Sequence, residues 1–480
     1  MGMEGSRNKA ESRNSFWNFI DNIEGDKVVW IIIFMLTMIS VLAIFSSTSQ
    51  LTGDSVDRVD LIRQHSIFIL LGYGIIFLIY KIRKIGWFRK ISQFGFLVSF
   101  VLLAFLASHA NLGFIRAAKL NDVAWRIIVV GGLQIHVFEV VKVAMVMYLA
   151  WAINAYKQDQ EDIRKRKKST TFTIANLLAQ TKSFSFMKKA FWKRAFYIYI
   201  PMFLTCGLVM QGSNSSAVFI GGIMLATLLI GGLPGKEIGM AIVGVIAVLA
   251  LAVGIYFISG RRAFTTVETA WSRITSNYDV ERLIEIENTP SLGGKYSKAW
   301  IKERDRIKQP YSAMIAVHEG GLLGKGSGNS TQKHVVTHIY SDYMFSFIVE
   351  EYGLLGGILV IILYVSLLAR GSMIARLCSN DFAKIAVGGL SILITGQAFM
   401  HIFVNVGIGP MTGQTLPLIS DGSFAFIVFC IAFGIILSIS RIARNQIREE
   451  EEAAAPLYES DKDDIQATMD VLEQIDDRIE

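Results

Sequence analysis

The chain has 480 residues, 52% of them hydrophobic and 18% charged, with a formal net charge of +7. That balance excludes a large soluble core, and uninterrupted apolar runs of about 20 residues, enough to cross roughly 30 Å of hydrocarbon, identify an integral membrane protein. In a soluble protein the positive charge would suggest nucleic acid; here it follows the membrane topology, and no nucleic-acid partner is expected.

Residues 1–27 form a polar leader in which Phe16, Trp17, Phe19 and Ile20 make a short patch, either an interfacial amphipathic segment or part of a disordered leader. No cleavable signal peptide is expected, because the first apolar run starts only at Val28. Ten apolar segments follow, at 28–48, 64–81, 92–109, 136–154, 195–211, 215–233, 238–258, 343–369, 383–408 and 422–441. The expected fold is therefore all-α and polytopic, a ten-span membrane domain over 28–441. Loop 82–91 carries Arg83, Lys84, Arg89 and Lys90, and loop 155–194 carries the run Arg164 to Lys168 with Lys188, Lys189, Lys193 and Arg194. Excess Lys and Arg marks the cytoplasmic side, and the 164–168 cluster is expected to touch anionic membrane lipid. Loop 49–63, with Asp54, Asp57 and Asp60, suits the outside. Alternation then places both termini in the cytoplasm and 259–342 outside, as one large extracytoplasmic loop between spans 7 and 8. Residues 442–480 form an acidic cytoplasmic tail.

Ionisable residues within spans are costly and mark paired or functional sites. Glu139 and Lys142 fall on one helix face at i, i+3, just after Trp125 and Arg126 in an outward loop. They are expected to face a cavity or to neutralise each other. Glu350 and Glu351 are adjacent, cannot share a helix face, and so at least one should point into the protein. The density of Gly and Pro from Asn405 to Gly422 predicts irregular backbone, tolerated at membrane depth only as a buried or cavity-lining re-entrant wall. The Gly-rich stretch 320–328 is expected to fold back tightly, its amides able to hold an anionic head group. His334 and His338 have zinc-pair spacing but lack a metalloprotease glutamate, and Cys206, Cys378 and Cys430 are too scattered for a disulfide framework; no protein-built metal site is expected.

Four motifs, in order along 28–441, resemble the SEDS family of peptidoglycan polymerases, the FtsW, RodA and SpoVE group. Trp125 with Glu139-Val140-Val141-Lys142 is similar to its Arg-Trp-Ile and Gln-Pro-Ser-Glu-x-x-Lys block. Gln309 to Gly328, including Ser312 and Lys325, resembles Gln-Ser-x-x-Ala-Ile-Gly-Ser-Gly-Gly-x-x-Gly-Lys-Gly. Ser341 to Phe345 with Glu350-Glu351-Tyr352-Gly353 resembles His-Thr-Asp-Phe-Ile-Phe and Glu-Glu-x-Gly-x-x-Gly. Thr412-Gly413 with Leu416-Pro417-Leu418-Ile419-Ser420 resembles Thr-Gly-x-x-Leu-Pro-Phe-Ile-Ser. Three departures stand out: His136-Val137-Phe138 replaces Gln-Pro-Ser, Asp421 replaces Tyr, and the Asp-Pro-x-Gly-x-Gly-Tyr run before Gln309 is missing.

The resemblance implies a glycosyltransferase that polymerises lipid II at the outer face of the bacterial cytoplasmic (inner) membrane, in division or elongation, releasing undecaprenyl pyrophosphate. The missing run holds the family's catalytic aspartate; the nearest acid is Asp305, with Glu303 as competitor. Substrate binding is expected from Trp125, Glu139, Lys142, Gln309, Ser312, Lys325, Glu350, Glu351, Thr412, Pro417 and Ser420. Arg304, Arg306, Lys308, Lys325 or a divalent cation, Mg or Mn, would neutralise the diphosphate. The implied partners are a class B penicillin-binding transpeptidase and other division or elongation membrane proteins. The alternatives are a lipid II flippase and a catalytically decayed scaffold of the division machinery.

Overall fold

The computed structural model describes residues 24–48, 58–120, 124–166, 189–236, 238–239, 242–244, 280–289, 295–336, 339–409 and 412–476. Three helices open it, α1 (Lys27–Ser47), α2 (Arg58–Tyr80) and α3 (Ile85–Ala107). Strands β1 (Ile115–Leu120), β2 (Ala124–Val130) and β3 (Leu133–His136) lead into α4 (Val137–Arg164), α5 (Ala190–Gly212) and α6 (Asn214–Ile230). The polar stretch 259–342 contributes α7 (Val280–Asn288) and α8 (Lys298–Gly320), and the chain continues through α9 (Met344–Leu377), α10 (Asp381–Asn405) and α11 (Ser423–Asp476). Among the described residues eight helices are long and apolar enough to span: α1 to α5 and α9 to α11. The shorter α6 stands at the sixth expected span, while most of the seventh, 238–258, lies outside the described residues, as do most of the leader and His338.

Burial orders the bundle. The apolar windows of α4, α10 and α11 are 83%, 67% and 89% buried, against 17% and 22% for α2 and α3, so the first three form the centre and the last two face lipid. Local chemistry sets the ends: Asp26 caps α1 by accepting from the amides of Val28 and Val29 at 3.0 and 3.2 Å, and Asn380 caps α10 through Phe382 N at 2.9 Å. Pro201 has no N–H to give the carbonyl four residues back, that of Tyr197. The Tyr148 hydroxyl of α4 donates to that carbonyl at 2.9 Å, beside a π-turn over Ala195–Tyr199.

The membrane body is helical as expected, but the segment before α4 is a three-stranded antiparallel sheet in the order β1-β2-β3, not a loop. Its sequence explains it. Ile127 to Val130 is β-branched throughout, and Gly131-Gly132, both at positive φ (56° and 92°), make the two-residue turn that pairs Val130 with Leu133. The stretch around Asp305 is also helical rather than a solvated loop, because it lies inside α8, capped by Ser297 through Trp300 N at 3.2 Å.

Helix α9 is broken at Gly353 (φ 71°, ψ −174°), and the Gly-rich stretch docks on the break. Lys325 N donates to Glu350 O at 2.9 Å, Gly326 N to Glu351 O at 3.0 Å, and Leu354 N to Gly321 O at 2.9 Å. These bonds replace those the break removes from the helix, which lipid could not supply. They also engage the amides of 325 and 326, and Gly324 N donates to Gly320 O at 2.8 Å, so these three amides are not available to an anionic head group. The approach is backbone on backbone: a Cβ on Gly324 would lie 2.2 Å from Glu351 O, and one on Gly353 equally near Leu322 O. Gly324→Ala should therefore lower the melting temperature in detergent well beyond Gly328→Ala. The latter, at φ 85° with open space around it, pays only backbone strain of about 1–2 kcal/mol. Equal melting temperatures for the two variants would remove the clasp from the account.

Candidate functional site

The centre of the bundle holds a buried cation. Lys142, on the first turns of α4, has three ammonium protons and gives them to Glu139 Oε1 at 2.7 Å, Gln397 Oε1 at 2.5 Å and Gln414 Oε1 at 2.9 Å. Burying an ammonium is tolerable only with such full pairing, and the pair faces the interior, not lipid. Glu139 Oε2 is buried with no hydrogen-bond partner among the described residues. Gln414 extends the network: its Nε2 donates to Ser216 Oγ at 3.2 Å, the Ser216 amide donates to Ser213 Oγ at 3.3 Å, and Arg126 Nη2 reaches that same Ser213 oxygen at 3.1 Å. The sheet is thus joined to the α5–α6 junction through Arg126, next to Trp125, whose ring stacks on His109 at 4.3 Å.

The wall from Thr412 to Ser420 is irregular and mostly buried, with Gly413 and Pro417 interrupting helical geometry. Its carbonyls are taken by side chains of α9 and α10: His401 Nδ1 donates to Gln414 O at 2.7 Å, Gln397 Nε2 to Thr415 O at 3.0 Å and Tyr364 OH to Pro417 O at 2.5 Å. Ser420 Oγ accepts from Leu416 N at 2.9 Å, and Leu418 sits at φ 61°, a left-handed conformation held by the surrounding bonds. His401 also accepts the Phe345 amide on Nε2 at 3.3 Å, and Asn405 Oδ1 accepts that of Ser346 at 3.0 Å, so two free amides at the start of α9 are satisfied from α10. An acceptor on one side and a donor on the other assign His401 the Nδ1–H tautomer.

Above this floor lies a small cavity of about 60 Å³, lined by Gln309, Asp342, Tyr343, His401, Thr412 and Gln414 among others. Asp305, Gln309 and Ser312 share a face of α8 at i, i+4 and i+7, about 6 Å of rise from the first to the second. That face descends from solvent at Asp305, through the cavity at Gln309, to a buried Ser312. Asp305 Oδ1 is bound by Arg304 Nη2 at 2.7 Å and Nε at 3.0 Å, both side chains about half exposed, and Arg304 stacks over Trp300. Glu303, the competitor, is buried.

The remaining named residues form a second network away from the cavity lining. Glu350 and Glu351 are both buried, which helical geometry alone did not require; the broken helix and the docked Gly-rich stretch enclose both. Glu350 accepts from Lys325 Nζ at 2.8 Å, the Thr331 amide at 2.8 Å and the Ser330 hydroxyl; Glu351 accepts from Ser46 Oγ at 2.7 Å and Gly328 N at 3.0 Å. Lys325 also donates to Glu319 at 2.5 Å, which holds that carboxyl below the usual carboxylate range. The structure thus brings Glu139, Lys142, Gln309 and Thr412 to or beside the cavity, leaves Pro417 and Ser420 further along the irregular stretch and outside the cavity lining, sets Asp305 one turn of α8 above Gln309, and gathers Lys325, Glu350 and Glu351 around the break in α9. Asp342 was missed, although Ser341-Asp342-Tyr343 was in plain view as the last acidic position before an apolar run.

Asp421 lies just past the wall. Its amide donates to Tyr340 O at 2.9 Å and its Oδ1 stands 3.9 Å from His65 Nδ1, while His65 Nε2 meets Ser40 Oγ at 2.9 Å. Burial pushes the Asp421 carboxyl up to about 6. A carboxyl whose folded value lies above the unfolded one, about 3.9, binds its proton more tightly when folded. Its contribution is complete below the unfolded value and is lost as pH rises through about 6. Asp421→Asn should therefore flatten the stability profile between about pH 4 and 6 and melt higher than wild type at neutral pH. A lower melting point at neutral pH, with the slope unchanged, would refute it.

Residues 26–445 match the cell cycle protein family FtsW/RodA/SpoVE. A probable peptidoglycan glycosyltransferase FtsW from Enterococcus hirae is 26% identical over 437 residues, 88% of this chain and 94% of its own. The peptidoglycan glycosyltransferase MrdB of Escherichia coli (strain K12) is 30% identical over 251 residues, 50% of this chain and 58% of its own. Among solved structures, one chain of a peptidoglycan synthase complex that coordinates polymerization and crosslinking shares the fold, with a TM-score of 0.54 at 19% identity over 87% of this chain and 98% of that one.

Proposed function

The chain belongs to the FtsW/RodA/SpoVE family, and on that premise we propose the reaction it runs: it is a peptidoglycan glycosyltransferase that joins lipid II molecules into glycan strands at the outer face of the cytoplasmic membrane, with both termini inside. One observation carries the reading. A single face of α8 leads from the exposed carboxylate of Asp305 past Gln309 into the cavity, whose floor residue Gln414 holds the buried Lys142.

On this reading the acceptor hydroxyl attacks the anomeric carbon of the donor as Asp305 takes its proton. The carbon–oxygen bond to the diphosphate breaks, its electron pair leaves with undecaprenyl pyrophosphate, and the centre inverts with no covalent enzyme intermediate. Arg304 and Lys308 lie on the same helix as the base and would meet the diphosphate; Lys325, held by Glu319 and Glu350, has less to offer. Among the described residues no group of three or more His, Cys, Asp or Glu is placed to hold a metal. The donors present suit Mg or Mn of the kind held by one or two carboxylates and substrate phosphates, here Asp305 or Asp342, and such an ion would offset the diphosphate charge.

The test is a polymerisation assay with labelled lipid II. Asp305→Asn should bind substrate near normally and lose at least about 100-fold in rate, whereas Glu303→Gln should lose far less. Lys142→Met should abolish polymer while eluting as folded protein. If Asp342→Asn loses the rate and Asp305→Asn does not, Asp342 is the base; wild-type protein that transports labelled lipid II or does nothing, but makes no polymer, returns the reading to a flippase or a scaffold.

The partner of this reading is a class B penicillin-binding transpeptidase, held along the spans and on the mixed-charge outward stretch. That stretch is too short for a second enzyme with its own core but long enough for a docking face. Coexpression should give a complex stable in mild detergent with a raised polymerisation rate. Separation at micromolar concentration, with the rate unchanged on mixing, would end the coupling idea.

A further inference from the structure

The outward sheet has an apolar edge that the reaction does not use. Leu112, Phe114 and Leu133 are 71%, 71% and 57% exposed, a density of large apolar surface seldom left in water. They are brought together by the fold rather than scattered. Gly131 N donates to Phe114 O at 3.1 Å, the Phe114 ring lies so close over Gly131 that a Cβ there would meet it at 2.9 Å, and Leu133 pairs with Val130, itself paired with Ile115. The turn before β1 and the turn between β2 and β3 therefore form one edge.

We propose that this edge docks on the adjoining leaflet of the bilayer, burying Leu112, Phe114 and Leu133 at the boundary between head groups and acyl chains. Continuity with the lipid-facing surface of α3 selects lipid as the occupant. That helix ends at Ala107, only a short turn before Leu112, and presents Phe94, Leu97 and Val101, 68%, 57% and 57% exposed, at i, i+3 and i+7 as its apolar outer stripe. The edge follows this stripe directly in the chain. Arg116, exposed and bridged to Asn111, lies where a guanidinium can meet lipid phosphate while neighbouring apolar groups sink. Docking of this kind reaches roughly 5–10 Å into the interface, without a span. It also has a consequence inside the protein, because β2 carries Arg126, the residue that reaches Ser213 beside the Gln414 network. The bilayer thus steadies the strand from one end and the buried network holds it at the other.

The experiment uses full-length protein with Cys206, Cys378 and Cys430 replaced by Ala, reconstituted in phosphatidylethanolamine–phosphatidylglycerol liposomes. A nitroxide is placed at Phe114→Cys, at Leu133→Cys or, as the water-exposed control, at Tyr296→Cys, each variant first shown to elute as wild type. Collision with oxygen, which concentrates in lipid, and with a water-soluble nickel chelate is read by power saturation. At 114 and 133 oxygen should dominate, with an oxygen-to-nickel ratio several-fold above that at 296. Nickel collisions as frequent at 114 and 133 as at 296 would overturn the proposal. Shielding from both reagents would overturn it as well, since another protein surface or a second copy would then cover the edge.

Discussion

A buried ammonium has three protons, and the architecture around Lys142 is the arrangement that gives each of them an acceptor. The three acceptors come from α4 itself, from α10 and from the wall after α10, so satisfying one charge joins three parts of the chain. Losing any one leaves a buried donor without a partner, at a cost of about 1–3 kcal/mol, and losing the carboxylate costs more because the charge stays behind. This ties α4 to α10 at the centre of the bundle, where their apolar windows are 83% and 67% buried. It also explains the polar depth of the cavity, since Gln414 faces both the ammonium and the open space above it.

The same rule governs the backbone. Among the described residues two stretches abandon helical geometry in the body of the bundle, the break at Gly353 and the wall from Thr412, and each is met by donors and acceptors brought from elsewhere. At the break the partner is another backbone, which requires glycine on both sides. At the wall the partners are long side chains, which allows Leu and Pro in the wall but demands His401, Gln397 and Tyr364 opposite. The clasp and the wall differ in composition because they solve one problem from two distances.

Much of this was legible in the sequence, for reasons particular to each element. The spans announce themselves by length, and Glu139 with Lys142 by cost, since two ionisable residues at i, i+3 in an apolar run need a shared interior. The clasp was half legible: the glycines predicted a tight fold-back, but nothing local says that it folds onto Glu350 and Glu351, because the match is between two backbones whose side chains are nearly absent. The sheet was overlooked although Ile127 to Gly132 carries its signature, because strong charge and hydropathy patterns drew that region into a loop count. Asp342 stood inside the Ser341 to Phe345 motif but was given no role there, and only the three-dimensional packing shows that it lines the cavity. Asp305 shows the limit from the other direction: its pairing with the adjacent Arg304 is foreseeable from the sequence, but that Gln309, one turn on, lines a cavity is visible only in three dimensions.

The pairing of Lys142 also bears on how the chain is built into a membrane. During synthesis α4 enters lipid long before its distant acceptors exist, since Gln397 and Gln414 follow Lys142 by 255 and 272 positions. Glu139 is three positions away and travels on the same helix, so the ammonium is neutralised from the moment the helix forms. The local pair works as an internal chaperone for one charge, keeping α4 insertable as a single unit. When α10 and the wall arrive, they exchange a tolerable pair for a complete one, and this exchange favours α4 moving from the bilayer to the middle of the bundle. Assembly order is thus written into the spacing of acceptors along the chain, with the nearest serving first and the farthest completing the core.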